Sequence, residues 1–279
     1  MHKTVTHPVS FPHIMLAASL AFAPAAGFAQ GNAAKPAPGK SDYVEFDETK
    51  VLIEINATDG DVGFHALLDG DAWRIARIRD PRGHEIFQEK AKQELADQGL
   101  TESFFESAEP LCQADPEEPD ARVVPLGQFL ERFEAGEYTF TAKTLEGEAM
   151  LGTAQLTYAL PAATEILSFD GSTIIWAPGD ALGLCQDDTL VTEGIIEDPA
   201  TVDIVGWQVV VEPADDEAVD PLRIFSVELP ANVRTVTVPQ AFMQAYFEDG
   251  VTEFKVEIIS IEESGNQTAS EEEFDLSAG

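Results

Sequence analysis

Short runs of alternating apolar and polar residues dominate the chain, a period of two that places successive side chains on opposite faces of a strand. In residues 50–56 (KVLIEIN), Val51, Ile53 and Ile55 share one face, as a half-buried strand requires. Phe64, Ala66 and Leu68 repeat the pattern, with His65 between them on the outer face. Asp69-Gly70 then reads as a tight hairpin turn, because glycine accepts a positive φ at little cost. A strand over residues 73–79 runs into a second turn signal, Asp80-Pro81-Arg82-Gly83, which leaves His84 solvated. Residues 85–98 (EIFQEKAKQELADQ) predict a helix stopped by Gly99, the alternative being a hairpin completed by residues 85–89. Thr101 is placed to cap a short helix through Phe104 and Phe105, and residues 128–133 (QFLERF) predict another. Tyr138, Phe140 and Ala142 form the clearest strand face, and Met150, Ala154, Leu156 and Tyr158 follow on one side of the next.

Beyond residues 160–164 (LPAAT) the helical pattern almost disappears. Ile174 and Trp176 alternate, then Trp207, Val209 and Val211, then Phe225, Val227 and Leu229. Val236 and Val238 come next, followed by Phe254, Val256, Ile258 and Ile261. About seven short strands at such spacing predict an antiparallel sandwich. The fold class expected is therefore mainly β. A β-rich, loosely immunoglobulin-like domain with short helices occupies residues 43–160, and a β-sandwich occupies residues 164–279.

The second half carries a resemblance. Ile174-Ile175-Trp176-Ala177-Pro178 resembles the second strand of a fibronectin type III domain, whose tryptophan sits in the core. Gly206-Trp207-Gln208-Val209-Val210-Val211 is similar to the third strand of that family. The spacing of Thr252, Phe254, Val256 and Ile258, with Gly265 and Ser270 after them, resembles the sixth strand and its following loop. The resemblance covers residues 165–276 and implies a binding or spacing module without catalysis. Phe254 stands where the family usually has a tyrosine whose hydroxyl ties down that corner, so here the corner must be held another way.

The opening of the chain changes where such a protein is expected to work. A weakly basic start (His2, Lys3, His7) precedes the apolar run from 14 to 22, and Gly27-Phe28-Ala29 follows. This reads as a signal peptide over residues 1–29, too short in its apolar run for a membrane span. Residues 30–42 (QGNAAKPAPGKSD) then form a flexible linker. A secreted or periplasmic product is expected, without a membrane span once the leader is removed.

Charge narrows the partners. The 279 residues carry 16 Lys+Arg against 51 Asp+Glu, a formal net charge of -35. Such a chain repels phosphate backbones, so no nucleic-acid partner is expected. A hydrophobic content of 44%, with 17 phenylalanines, is enough to build cores rather than leave the chain disordered. The expected partner is a protein or glycan at the cell surface or envelope.

Catalytic constellations are sparse. Past the leader the histidines are His65 and His84, and no Gly-x-Ser-x-Gly elbow occurs. The alternative function is a glycan-acting enzyme of the cell envelope, or an accessory subunit, using carboxylates of the first domain. Residues 56–61 (NATDGD), with Asp69 and Asp71, offer oxygens to a cation but read better as ordinary turns. A sharper prospect follows from sandwich topology, which puts the loop over residues 178–203 at the same end as the loop over 262–267. Asp187 and Asp188 on the first, with Glu262 and Glu263 on the second, form a candidate calcium site. Arg74, Arg77, Arg79 and Arg82 read as an outward face paired with neighbouring acids. Cys112 and Cys185 could bridge the two halves in an oxidising compartment. Asn56 and Asn266 begin glycosylation sequons.

Overall fold

The computed structural model describes residues 43–116, 118–215 and 219–277. The expected leader and linker lie outside the described residues. The first half comprises β1 (Val44–Glu45), β2 (Glu48–Asn56), β3 (Asp61–Arg79), β4 (Glu85–Lys90), helix α1 (Glu94–Gln98), β5 (Leu100–Glu106), helix α2 (Leu126–Arg132), β6 (Gly136–Thr144) and β7 (Ala149–Leu156). The second comprises β8 (Thr164–Phe169), β9 (Thr173–Pro178), helix α3 (Asp188–Thr192), β10 (Ile204–Pro213), β11 (Phe225–Pro230), β12 (Thr235–Thr237), helix α4 (Gln240–Glu248), β13 (Glu253–Glu262) and β14 (Gln267–Asp275).

The nineteen-residue β3 organises the first half. Its leading part pairs with β2 on one side and β5 on the other, and its trailing part pairs with β4 and β6. The register shifts between Asp69 and Trp73, so the strand bends and its sheet curls. β7 thereby returns against β2, where Thr49 Oγ1 donates to the Thr153 carbonyl at 2.9 Å. The expected hairpin turn at Asp69-Gly70 is therefore wrong. Gly70 is small for packing rather than for turning, since a Cβ there would lie 3.0 Å from Met150 Cε and 3.3 Å from Phe46 Cα.

Two helical expectations also fail for tertiary reasons. Residues 85–90 form β4 against the open side of β3, which is the hairpin alternative, and only Glu94–Gln98 are helical before Gly99. Residues 100–106 form β5, so Thr101 caps nothing. Phe105 packs on Phe64 and Phe87 on one side of β5, while Phe104 meets His65 on the other. Alternation of two aromatic rings across a sheet outweighs weak local helix preference. α2 forms where expected, burying Leu126, Phe129 and Leu130.

The second half is a seven-stranded sandwich. β12-β9-β8 form one sheet, and β11-β10-β13-β14 face it. The three segments matched to second, third and sixth strands occupy those places in the order β8 to β14. Trp176 and Trp207, both fully buried, meet edge to face at 6.3 Å in its core. The missing tyrosine at Phe254 is replaced from α4, which the sequence reading missed. Tyr246 packs edge-on against Phe254 at 5.6 Å, accepts a hydrogen bond from Arg223 N at 2.8 Å and donates one to the Arg223 carbonyl.

The halves are joined along a sheet edge. β14 runs parallel to β2, with Gln267 opposite Glu54 and Ala269 opposite Asn56. The four-stranded sheet thus continues into the first half in the order β1-β7-β6-β3-β2-β14-β13-β10-β11. Two apolar cores form, and Leu182, Cys185, Leu190 and Ile196 from beyond residues 160–164 join the first. The described residues form one compact unit. Cys112 and Cys185 are bridged with Cα atoms 5.1 Å apart.

Candidate functional site

Three of the four acids expected to hold calcium accept hydrogen bonds from within the chain. Asp187 caps α3, accepting from Thr189 N at 3.0 Å, and Asp188 accepts from Gln186 Nε2 at 2.8 Å. The buried Glu262 carboxylate accepts from the backbone N–H of Ser264 at 2.8 Å and of Asn266 at 2.9 Å, and from the Ser264 hydroxyl. Glu263 is exposed beside it. Among the described residues, the only group of three or more His, Cys, Asp or Glu with ligand atoms within 4.8 Å of one another lies elsewhere. The topology argument did bring the two loops to one end. Glu197, Ile196, Tyr158, Glu262 and Ser264 line an open cleft of about 770 Å³ there. Its buried acid is held by the turn that it stabilises.

Behind that turn, Asn266 ties three segments together. Its side-chain oxygen accepts from Ile53 N at 2.9 Å, and its amide donates to the carbonyls of Thr157 and Ala159 at 3.1 and 3.0 Å. Asn266 and Asn56 are 0% and 1% exposed, so neither sequon is available on the folded chain. Three of the four arginines are paired with acids as expected, while Arg74 Nε donates to the Ala96 carbonyl at 2.6 Å. Arg77 and Arg79 reach Glu85 at 3.2 and 3.3 Å, and Arg82 reaches Asp80 and Glu134.

A different acidic group forms on the outer face of the joined sheet. Leu52, Glu54 and Asn56 are all buried, so β2 is covered on both faces rather than one. The Asn56 side-chain oxygen accepts from the N–H groups of Thr58 and Asp59 and shapes the turn into β3. That turn starts the alternation that sends Asp61, Gly63 and His65 to the same outer face as Glu54. Gly63 pairs directly with Glu54, and His65 pairs with Glu106. After β5 the chain stays beside β3. Ser107 N donates to the Phe64 carbonyl and Val62 N to the Pro110 carbonyl, which brings Glu109 over Gly63.

Glu54, His65 and Glu109 place their ligand atoms within 4.8 Å of one another. His65 is 3% exposed, and its Nε2 has no hydrogen-bond partner; Asp61 Oδ1, also buried, has none either. Glu54 accepts from the Gln267 amide, and the electrostatics of the group reflect burial and crowded acids. Burial, then Glu257, Glu106 and Asp61, push the Glu54 carboxyl well above the ordinary range. Burial with Asp59 and Glu271 pushes Asp61 up to about 7, and burial with Asp61 and Glu106 pushes Glu109 up to about 9. Burial alone lowers His65 to about 4, keeping its imidazole neutral. The sequence reading placed His65 on the outer face, where it lies, but did not single out Glu54 or Glu109. The available signal was Leu52 beside Glu54, an apolar residue on the supposedly wet face. Nothing in the sequence announced Glu109.

The same face continues across β14 and β13. Glu271 and Glu257 stand opposite each other, with Lys255 bonded to Glu212 at 2.8 Å and reaching Glu271 at 3.6 Å. Burial, followed by Glu271, raises Glu257 to about 8 despite Lys255.

No family model matches the chain, and no curated protein does. Solved structures show distant likeness. A 1.5-MDa bacterial ice-binding adhesin is 10% identical with a TM-score of 0.24, over 82% of this chain and 63% of that one. A two-domain fibronectin type III segment of chicken tenascin is 12% identical with a TM-score of 0.24, over 82% and 98%. A Ca²⁺-stabilised adhesin of an Antarctic bacterium that binds ice is 12% identical with a TM-score of 0.25, over 81% and 48%. The chain thus spans less than two thirds of either adhesin chain.

Proposed function

We propose that this is an exported, non-enzymatic binding module of the cell surface or envelope, whose second half is a fibronectin type III sandwich. The observation that carries the reading is the parallel pairing of β14 with β2, which joins the sheet of the first half to one sheet of the sandwich. A continuous sheet resists bending at the junction, so the unit presents one broad face instead of two swivelling modules. The formal net charge of -35 favours a protein partner with a basic surface. The Cys112–Cys185 bridge is chemistry that persists in oxidising compartments and supports export. No helix among the described residues is long and apolar enough to cross a membrane.

The test uses the purified chain without residues 1–29 against arrays of envelope glycans and surface proteins. Saturable binding to a basic protein surface, weakened by salt and unaccompanied by turnover, is the expected result. Release of new reducing ends from any glycan would instead establish the enzymatic alternative.

A further inference from the structure

We propose that Glu54, His65 and Glu109 form a divalent transition-metal site of the zinc type on the outer face of β2 and β3, with Asp61 at its edge as a further oxygen ligand. This goes beyond the binding-module reading and stands on separate observations.

The donor set comes first. One imidazole nitrogen with two or three carboxylates suits zinc and its neighbours, whereas calcium wants six to eight oxygens and no nitrogen. Burial is the second point. An imidazole that is 3% exposed, with Nε2 facing carboxylates and bonded to nothing, is a group that a folded chain rarely leaves orphaned. A metal ion would satisfy Nε2, and it would also offset the like charges that hold Glu54, Asp61 and Glu109 against one another.

Space is the third point. A Cβ added to Gly63 would stand 2.9 Å from Glu109 Oε1 and 3.0 Å from His65 Nε2. Glycine therefore leaves a gap between these two donors that a side chain would fill. Ligand atoms around a tetrahedral zinc ion are about 3.3 Å apart for bonds of roughly 2.0–2.1 Å. Groups already within 4.8 Å reach that spacing by small side-chain rotations.

The arrangement also has a mechanical consequence. Glu54 and His65 sit on paired strands, but Glu109 belongs to the segment that crosses from β5 to Cys112. A bound ion would fasten that segment to the sheet three residues before the disulfide fastens it to the second half. Metal and disulfide would then secure the same strap from neighbouring points.

The experiment uses the untagged chain without residues 1–29, stripped with chelator and held at fixed ionic strength. His65 and His84 are its only imidazoles, so their ¹⁵N resonances are separable in the unmodified protein. Zn²⁺ should bind at one equivalent, move the His65 Nε2 resonance and leave His84 unchanged. Co²⁺ should give visible d–d absorption that Zn²⁺ abolishes. Melting should rise by several degrees with Zn²⁺ and by much less with Ca²⁺ or Mg²⁺. Glu109→Gln, whose fold is checked by circular dichroism in chelator, should weaken Zn²⁺ binding at least tenfold, while Asp187→Asn should leave it unchanged. An unmoved His65 resonance overturns the proposal in the unmodified chain, whatever the variants do. Equal melting shifts with all three cations, or Zn²⁺ affinity unaffected by Glu109→Gln, would overturn it as well.

Discussion

Two gatherings of acids on this protein look alike in composition and differ in what surrounds them. At the end of the sandwich, Asp187, Asp188 and Glu262 each accept hydrogen bonds from nearby donors. At the joined sheet, Asp61 and Glu109 face other carboxylates and a bare imidazole nitrogen. The first group stabilises turns and a helix end. The second costs stability unless protons or a cation offset its charge. Acid density alone therefore says little, and the supply of donors decides which cluster is open to a ligand.

That contrast can be strained in several ways. The largest effect should come from the bridge that anchors the strap beside the second cluster. Cys112 and Cys185 are 73 residues apart, and replacing both with Ser should remove about 4 kcal/mol in the chain-entropy account. Equilibrium denaturation in chelator measures it, and a loss below about 1 kcal/mol would mean that the strap is held by other contacts.

Next in size are the satisfied acids and their partners. Asn266→Ala and Glu262→Ala each orphan buried backbone groups and should cost about 2–4 kcal/mol. Their effects should fall short of additive, because Asn266 N bonds to Glu262. Full additivity in the double variant would show that the turn and the tie between the halves are separate.

The unsatisfied acids should respond to pH with a definite sign. Glu257 is raised from 4.5 to about 8, so the folded state keeps a proton that the unfolded chain releases. Its contribution is fully present below about pH 4.5 and is lost as pH rises through about 8. Glu271, Lys255, Glu212, Asp59 and Glu54 face it and set the size of the effect. In chelator, unfolding at pH 5, 7 and 9 should show stability falling with pH, and Glu257→Gln should flatten that fall. An unchanged slope in the variant would remove Glu257 from the account.

Smallest in size is Glu54→Gln, which keeps shape and removes a charge that burial already disfavours. In metal-free protein at neutral pH it should be neutral or stabilising by up to about 1 kcal/mol, opposite in sign to Glu262→Ala. Destabilisation beyond about 1 kcal/mol would mean that the Gln267 amide bonding to Glu54 outweighs the charge.

Legibility differed between the halves for a physical reason. In the second, the core takes one face of β9, β10 and β13, so Trp176, Trp207, Val209 and Val256 stood out by period two. The exception was α4, whose spacing of Met243 and Tyr246 between Pro239 and Gly250 is helical, yet short enough to pass as loop. In the first half, β3 pairs with four strands along its length, and that kind of pairing leaves no local trace. Asp69-Gly70 looked like a turn because glycine serves both turning and close packing. His65 was legible as facing outward but not as buried, because alternation reports which face a residue takes and not whether that face is covered.

The sequence by itself determined the β class, the order of the sandwich strands, the two cysteines available to pair and the strongly acidic character. These follow from local period, spacing and composition, which survive without long-range contacts. Tertiary structure alone decided that β14 pairs with β2, that Cys112 meets Cys185, and that Glu54, His65 and Glu109 converge. Glu54, His65 and Glu109 lie on three segments whose approach is fixed by the curl of β3 and the path of the strap. Such convergence depends on how whole elements pack, and no window of neighbouring residues encodes it.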